Sequence, residues 1–216
     1  DKYGDIDGDG FVEYQKKAEN GLANQGWKDS HDSVMYEDGQ LANYPIALCE
    51  VQGYVYDAKM QAAYIAERMD EHALAEKLHK EATTLKEQFN EVFWDEALGT
   101  YVLALDGQKK PCRVVSSNAG HTLFSGIATE EHARSTVQRL MADDMFNGWG
   151  IRTLSAKEVR YNPMSYHNGS VWPHDTALIA YGFARYGFTQ EALRLMQGLF
   201  DASLFIELQR LPELFC

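Results

Sequence analysis

The stretch LCEVQGYVYDAKMQAAYIAERM (residues 48–69), continued by DEHALAEKLHKEATTLKEQFNEV (residues 70–92), decides the fold class. Leu48, Val51, Val55, Ala58, Ala62 and Ile65 step by three and four residues, which puts them on one face of a helix. Leu74, Leu78, Leu85, Phe89 and Val92 repeat the pattern, so two long helices are expected between residues 44 and 94. Shorter stripes follow at Ala133, Val137 and Leu140 and at Ala192, Leu195 and Leu199. Trp172-Pro173-His174-Asp175 reads as a helix start, with Pro in the first turn and an acid facing the helix dipole. That helix is expected to run to about Gly187. Tyr101 to Leu105, followed by Asp106-Gly107, reads as a short strand and turn. Helical periodicity dominates, and the class is all-α.

The segments Met69-Asp70-Glu71-His72-Ala73, Thr129-Glu130-Glu131-His132-Ala133 and Phe188-Thr189-Gln190-Glu191-Ala192 recur along the chain, each after one helix and before the next. The repeating unit is a helical hairpin with a longer return loop. Stacked hairpins bury one face of each helix against the neighbouring pair. No linker or low-complexity stretch interrupts the pattern, and residues 1–216 read as one domain.

A chain of 216 residues with 45% apolar and 24% charged content can bury a sizeable core. The net charge of −12 argues against nucleic acid and anionic membrane surfaces as partners and suits a neutral ligand such as a sugar. Four Trp and twelve Tyr could supply platforms for sugar rings, with core packing the ordinary alternative for most of them. Cys49, Cys112 and Cys216 are odd in number and widely spaced, so neither a disulfide framework nor a zinc site is expected. No run of about 18 apolar residues exists to cross a membrane. No signal peptide is visible, which favours the cytoplasm. The chain begins at Asp1-Lys2 without Met and stops at Phe215-Cys216, as a piece of a longer protein would, and this leaves export open.

Two acids far apart in sequence draw the chemistry together. Asp29 lies in the loop from Gly21 to Gly39, beside Trp27 and among Asn24, Gln25, Lys28, Asp32, Glu37 and Asp38. Glu213 follows Pro212 near the other end. Cleaving a glycosidic bond takes two carboxyl groups, one to protonate the leaving oxygen and one to activate water or act as nucleophile. A carboxylic acid beside an indole can be held protonated by desolvation, as a general acid must be. The ordinary alternative is a solvated acidic loop with helix caps. A second cluster, Tyr161 to Trp172, mixes aromatics, amides and an imidazole just ahead of a helix start, which fits sugar recognition. Asn147 to Arg152 is a weaker candidate whose glycines would equally form a turn.

Asp5, Asp7 and Asp9, with Gly8 and Gly10, resemble the first half of a calcium loop. The closing Glu of an EF-hand would fall at position 16, which is Lys16, and Glu13 comes too early. A structural calcium would need a distant carboxylate to finish the site, and an Asp/Gly-rich turn is the alternative. No other cofactor is called for. No phosphate-binding loop of Walker type and no nucleophile elbow is present.

The segments NQGWKDSHDS (24–33), EVQGYVYDA (50–58), SSNAGHTLFSGIA (116–128), GWGIRTLS (148–155), NPMSYHNGSVWPHDTALIAYGFARYG (162–187) and RLPELFC (210–216) resemble the bacterial amylo-α-1,6-glucosidase, or glycogen-debranching-like, glycoside hydrolases. Mannosylglycerate hydrolases, trehalases and processing α-glucosidases are more distant relatives. The resemblance spans the chain in order. It implies an (α/α)6 toroid of six helical hairpins with the active site at one end of the ring, and an inverting mechanism. By the Trp-x-Asp-Ser motif the general acid would be Asp29, and by the Pro-Glu-Leu motif the general base would be Glu213. Tyr166, His167, Gly169 and Trp172 would line the sugar pocket, with Trp27 beside the acid and Gln25 and Lys28 as further substrate-binding residues. Six hairpins make twelve helices, and only six or seven are readable here, so an incomplete ring is expected. A sugar epimerase or phosphorylase on the same toroid would rely on other groups, such as a histidine pair, and the pairing of two acids disfavours it. A non-catalytic carbohydrate-binding fragment stays open. So does the substrate: limit dextrin, a maltooligosaccharide, trehalose or a glycosylated small acid.

Overall fold

The computed structural model describes residues 4–216. Each of the three repeated turn segments joins two helices. The first joins α1 (Cys49–Arg68) to α2 (His72–Val92), the second α3 (Asn118–Ser125) to α4 (Glu130–Leu140), the third α5 (Pro173–Arg185) to α6 (Thr189–Leu204). Local chemistry sets these ends. Gly126 closes α3 in the left-handed conformation at φ 82°. Thr129 caps α4 by accepting from His132 N at 3.1 Å. Pro173 occupies the first turn of α5, where its missing N–H costs nothing. α5 ends at Arg185, two residues short of the expected Gly187.

α3 packs between α1 and α5, and each of these three is covered by the helix that follows it in its hairpin. The helices approach closely because glycine lies at the contacts. A Cβ on Gly53 of α1 would stand 2.5 Å from Ser125 Oγ, one on Gly120 of α3 would stand 2.5 Å from Ile179, and one on Gly182 of α5 would stand 2.6 Å from the backbone N of Phe124. Four two-residue strands brace the loops. β1 (Ala47–Leu48) pairs antiparallel with β4 (Ala104–Leu105), and β2 (Trp94–Asp95) pairs antiparallel with β3 (Thr100–Tyr101). The single strand expected over 101–105 is thus two, with different partners.

The main core gathers Leu85, Phe89, Phe93, Tyr101, Leu123, Phe183 and Leu195 between the helices. A second core, with Met35, Ile46, Leu103 and Leu154, lies beneath the loops. The stripes expected on α4 and α6 are buried. That expected on α1 is covered only at its start: Leu48 is buried and Val51 and Val55 pack against the cores, but Ile65 is 56% exposed, while Glu50, Gln52, Gly53, Ala63 and Ala66 face inward. The periodicity misleads because α1 meets α3 through small residues and because Gln52 is buried for its hydrogen bonds. Its amide accepts from Val12 N and donates to Val12 O, both at 2.8 Å, tying down the N-terminal segment as a strand would. On α2 only the central part of the stripe is buried, since Leu74 and Val92 are exposed. No helix among the described residues is long and apolar enough to cross a membrane.

This packing brings the N-terminal ends of α1, α3 and α5 together. Glu50, Asn118 with His121, and Asp175 sit in their first turns, all buried. The loops that carry the sequence motifs lie over that end.

Candidate active site

Trp27 is the hub. Its ring stacks on His121 at 5.8 Å and 6°, and meets His167, Trp172 and His174 edge-on at 5.4, 5.8 and 5.2 Å. Trp172 in turn stacks on His167 at 5.0 Å, and Tyr166 abuts both rings. Trp27, Tyr166, His167 and Trp172, named from the sequence, therefore form one aromatic group. His121 and His174 belong to it too, although nothing in their spacing marks them. His174 is legible only as part of a helix start, and His121 is buried within α3.

Asp29 stands at the edge of this group with half its side chain exposed, its Oδ1 4.0 Å from His167 Nδ1. Burial pulls the His167 imidazole down to about 4, with the Lys28 charge adding to the effect against the pull of Asp29. The ring is therefore neutral at pH 7, and its approach to Asp29 is a polar contact, not an ion pair. Ser30 Oγ lies 2.7 Å from the same Nδ1, and Asn168 Nδ2 donates to Asp32 O at 3.1 Å. Glu213 is held by its neighbour: Phe215 and Val171 exchange backbone bonds of 2.8 and 2.9 Å. The hydroxyl of Tyr166 donates to Glu213 Oε1 at 2.7 Å. That bond raises the Tyr166 phenol, followed by burial and by the charges of Glu213 and Asp29.

Three expected ligand contacts are placed otherwise. Lys28 is 4% exposed and turns inward, donating to Thr153 O at 2.5 Å. Its ammonium lies 5.1 Å from the centre of the Trp27 ring. Gly169 is buried at φ 150°, where a Cβ would stand 2.7 Å from Asn162 O, so it shapes the loop. Gln25 borders a separate depression with Glu13, Tyr14, Lys17 and Gly21. The sequence placed these three beside functional residues, but burial and direction follow the loop's path, which neighbours in sequence do not reveal.

Beneath Trp27 lies a buried polar floor. His121 Nε2 is 2.6 Å from Asp175 Oδ1, and its Nδ1 bonds the Tyr54 hydroxyl. Burial pushes the Glu50 carboxyl up, against the pull of Asn118, His121 and Lys28. Burial pulls the Lys28 ammonium down to about 8, opposed by Asp175 and Glu50. Seven buried side-chain atoms among the described residues lack a hydrogen-bond partner, and six of them belong to Trp27, Glu50, Ser117, Asn118 and Asp175. Buried polar groups are normally bonded. Their concentration here marks a floor built around polar chemistry and not around apolar packing.

The Asp5, Asp7 and Asp9 carboxylates lie well away, with oxygens within 4.8 Å of one another. They also make the turn: Asp5 accepts from Gly8 N at 2.8 Å and Gly10 N at 3.1 Å, and Asp9 from Phe11 N at 2.9 Å. Lys109 Nζ pairs with Asp7 at 2.9 Å, with Asp9 at 2.7 Å and with Glu13. The donors are hard oxygens, as calcium prefers, and the buried Oε2 of Glu13 has no partner. The Lys109 ammonium stands where a cation shared by Asp7 and Asp9 would sit.

The series of three helical hairpins is similar to the (α/α)6 glycosidase fold. Residues 9–207 match the family described as the mannosylglycerate hydrolase MGH1-like glycoside hydrolase domain, and the chain belongs to that family. The fold resembles that of the GH63 mannosylglycerate hydrolase from Thermus thermophilus, crystallised with Tris, at a TM-score of 0.64 and 20% identity, covering 74% of this chain and 37% of that one. It also resembles neutral trehalase Nth1 from Saccharomyces cerevisiae, at a TM-score of 0.68 and 16% identity over 87% of this chain and 37% of that one. No curated protein matches the sequence significantly. The chain spans under two fifths of the length of either structure.

Proposed function

We propose that the chain carries the acid–base pair of an inverting hydrolase acting on α-glycosides, with Asp29 as general acid and Glu213 as general base. The observation that carries this reading is the Tyr166–His167 contact: Tyr166 donates to Glu213 at 2.7 Å, and the His167 ring it abuts has its Nδ1 4.0 Å from Asp29 Oδ1. Two carboxyls at the edge of one aromatic group suit glycoside hydrolysis. Asp29 would protonate the leaving oxygen. Glu213 would take a proton from a water attacking the anomeric carbon from the opposite face, which inverts the configuration. The ring faces of Trp27, Tyr166 and His174 would receive the sugar.

Among α-glycosides we favour a small molecule. The relatives are described as a mannosylglycerate hydrolase and a trehalase, and the family takes its name from the former. The amylo-α-1,6-glucosidase reading rests on the motif resemblance. Hydrolysis of mannosylglycerate, trehalose and limit dextrin by the whole protein separates the two. Stereochemistry tests the mechanism. Proton NMR before mutarotation is expected to show the β anomer released from an α-glycoside, and release of the α anomer would overturn inversion.

We also propose that Asp5, Asp7 and Asp9 take up a structural calcium by displacing the Lys109 ammonium. An ion that binds only the folded chain stabilises it by about 2.7 kcal/mol at a hundred times its Kd. Tm is therefore expected to rise between chelator and millimolar calcium. An unchanged Tm would leave these residues as a turn clamped by Lys109.

A further inference from the structure

Lys28 carries a charge that packing does not explain. The side chains alternate along the loop, with Lys28 inward, Asp29 outward and Ser30 partly covered. An ammonium taken out of water is costly, and a well-packed apolar residue of similar volume would serve folding at least as well. Against that cost, the nearby Asp175 and Glu50 favour the charged form, and the ammonium lies 5.1 Å from the centre of the Trp27 ring. Its one hydrogen bond goes to Thr153 O at 2.5 Å.

Thr153 is a junction. Its carbonyl also accepts from Ser117 N at 3.1 Å, at the start of α3. Its amide donates to Ser170 O at 2.9 Å. Its hydroxyl donates to the same carbonyl at 3.0 Å and accepts from Gly169 N at 2.8 Å. Ser170 Oγ then donates to Tyr166 O at 2.7 Å, and the Tyr166 hydroxyl reaches Glu213. The bond from Lys28 thus connects the residue before Asp29 to the segment that holds the other acid. On the far side of Asp29, Ser30 meets His167. Asp29 is a single residue stretched between two anchors.

We propose that Lys28 is a positioning residue: by bonding Thr153 O it sets where the Asp29 carboxyl stands relative to the Tyr166–Glu213 pair. This rests on the assignment of Asp29 and Glu213 as acid and base. Misplacing a catalytic group by about 1 Å can cost on the order of 10²-fold in rate.

The test compares Lys28→Met, Lys28→Met/Glu50→Gln and Asp29→Asn in the whole protein. Each is assayed on whichever of mannosylglycerate, trehalose and limit dextrin the wild type hydrolyses best, and on the glycosyl fluoride of the same sugar, whose leaving group needs little help from a proton. Lys28→Met is expected to lower kcat on the glycoside roughly 10- to 100-fold with little change in KM, and to lower the fluoride rate far less. The double variant removes the carboxylate left without its counter-charge. It is expected to recover Tm without recovering kcat, and it supplies the measurement if the single variant folds poorly. Equal losses on both substrates, wild-type turnover in Lys28→Met, or turnover that returns with Tm in the double variant would show that Lys28 only balances charge. Asp29→Asn separates the two levels. If it loses both substrates equally, the acid assignment itself fails, and with it the role given to Lys28.

Discussion

Replacing Asp29 with Asn is expected to cut turnover on an unactivated glycoside by roughly 10²- to 10⁴-fold, the usual worth of general acid–base catalysis. In barrier terms that is about 2.7–5.5 kcal/mol. The amide keeps the size and most of the polarity of the carboxyl but has no proton to give. Half the Asp29 side chain faces solvent, so the substitution should leave Tm nearly unchanged and the loss can be read as chemistry. A substrate with a good leaving group should recover part of the rate, because bond cleavage then proceeds without protonation. Near-native rates on the natural glycoside would remove Asp29 from the mechanism.

Gly182→Ala is expected to destabilise the fold by about 1–3 kcal/mol, the range for overpacking a well-filled interior. The added Cβ would stand 2.6 Å from Phe124 N and 3.0 Å from Leu123 C, and backbone cannot rotate out of the way. Alanine in a helix interior ordinarily gains about 1 kcal/mol over glycine, so a net loss isolates the clash between α5 and α3. For a chain of this size, Tm should fall by roughly 2–4 °C per kcal/mol. The damage should also reach the site. α3 and α5 carry His121 and Asp175, which are joined by a 2.6 Å contact. A raised Tm by calorimetry would show that the two helices have room to spare.

The hairpin architecture is readable because α4 and α6 have one dry face each, and because the three turns repeat between helices. α1 departs from its pattern in detail: its inner face is made of small and polar residues that no hydrophobic period reveals. Within the site, the aromatic members stand in recognisable motifs and do lie together. Glu50, His121 and Asp175 escape notice as one group because they belong to three different helices and meet only through helix packing. Lys28 and Gly169 mislead for the opposite reason: adjacency in sequence to Asp29 and His167 says nothing about which way a side chain turns.

Among the side-chain bonds that join the first loop to the later ones, three lie at residues 28–32: Lys28 to Thr153, Ser30 to His167, and Asn168 to Asp32, spanning 125, 137 and 136 residues of chain. Closing a flexible loop of that length costs about 4 kcal/mol in chain entropy. The three bonds close the same loop, so the first to form bears that cost and the others add only short closures. The bonds therefore form cooperatively, each easier once the first is in place. Losing one bond shifts the groups beside it without unfastening the rest, so a substitution there can move the Asp29 carboxyl while the fold keeps its shape.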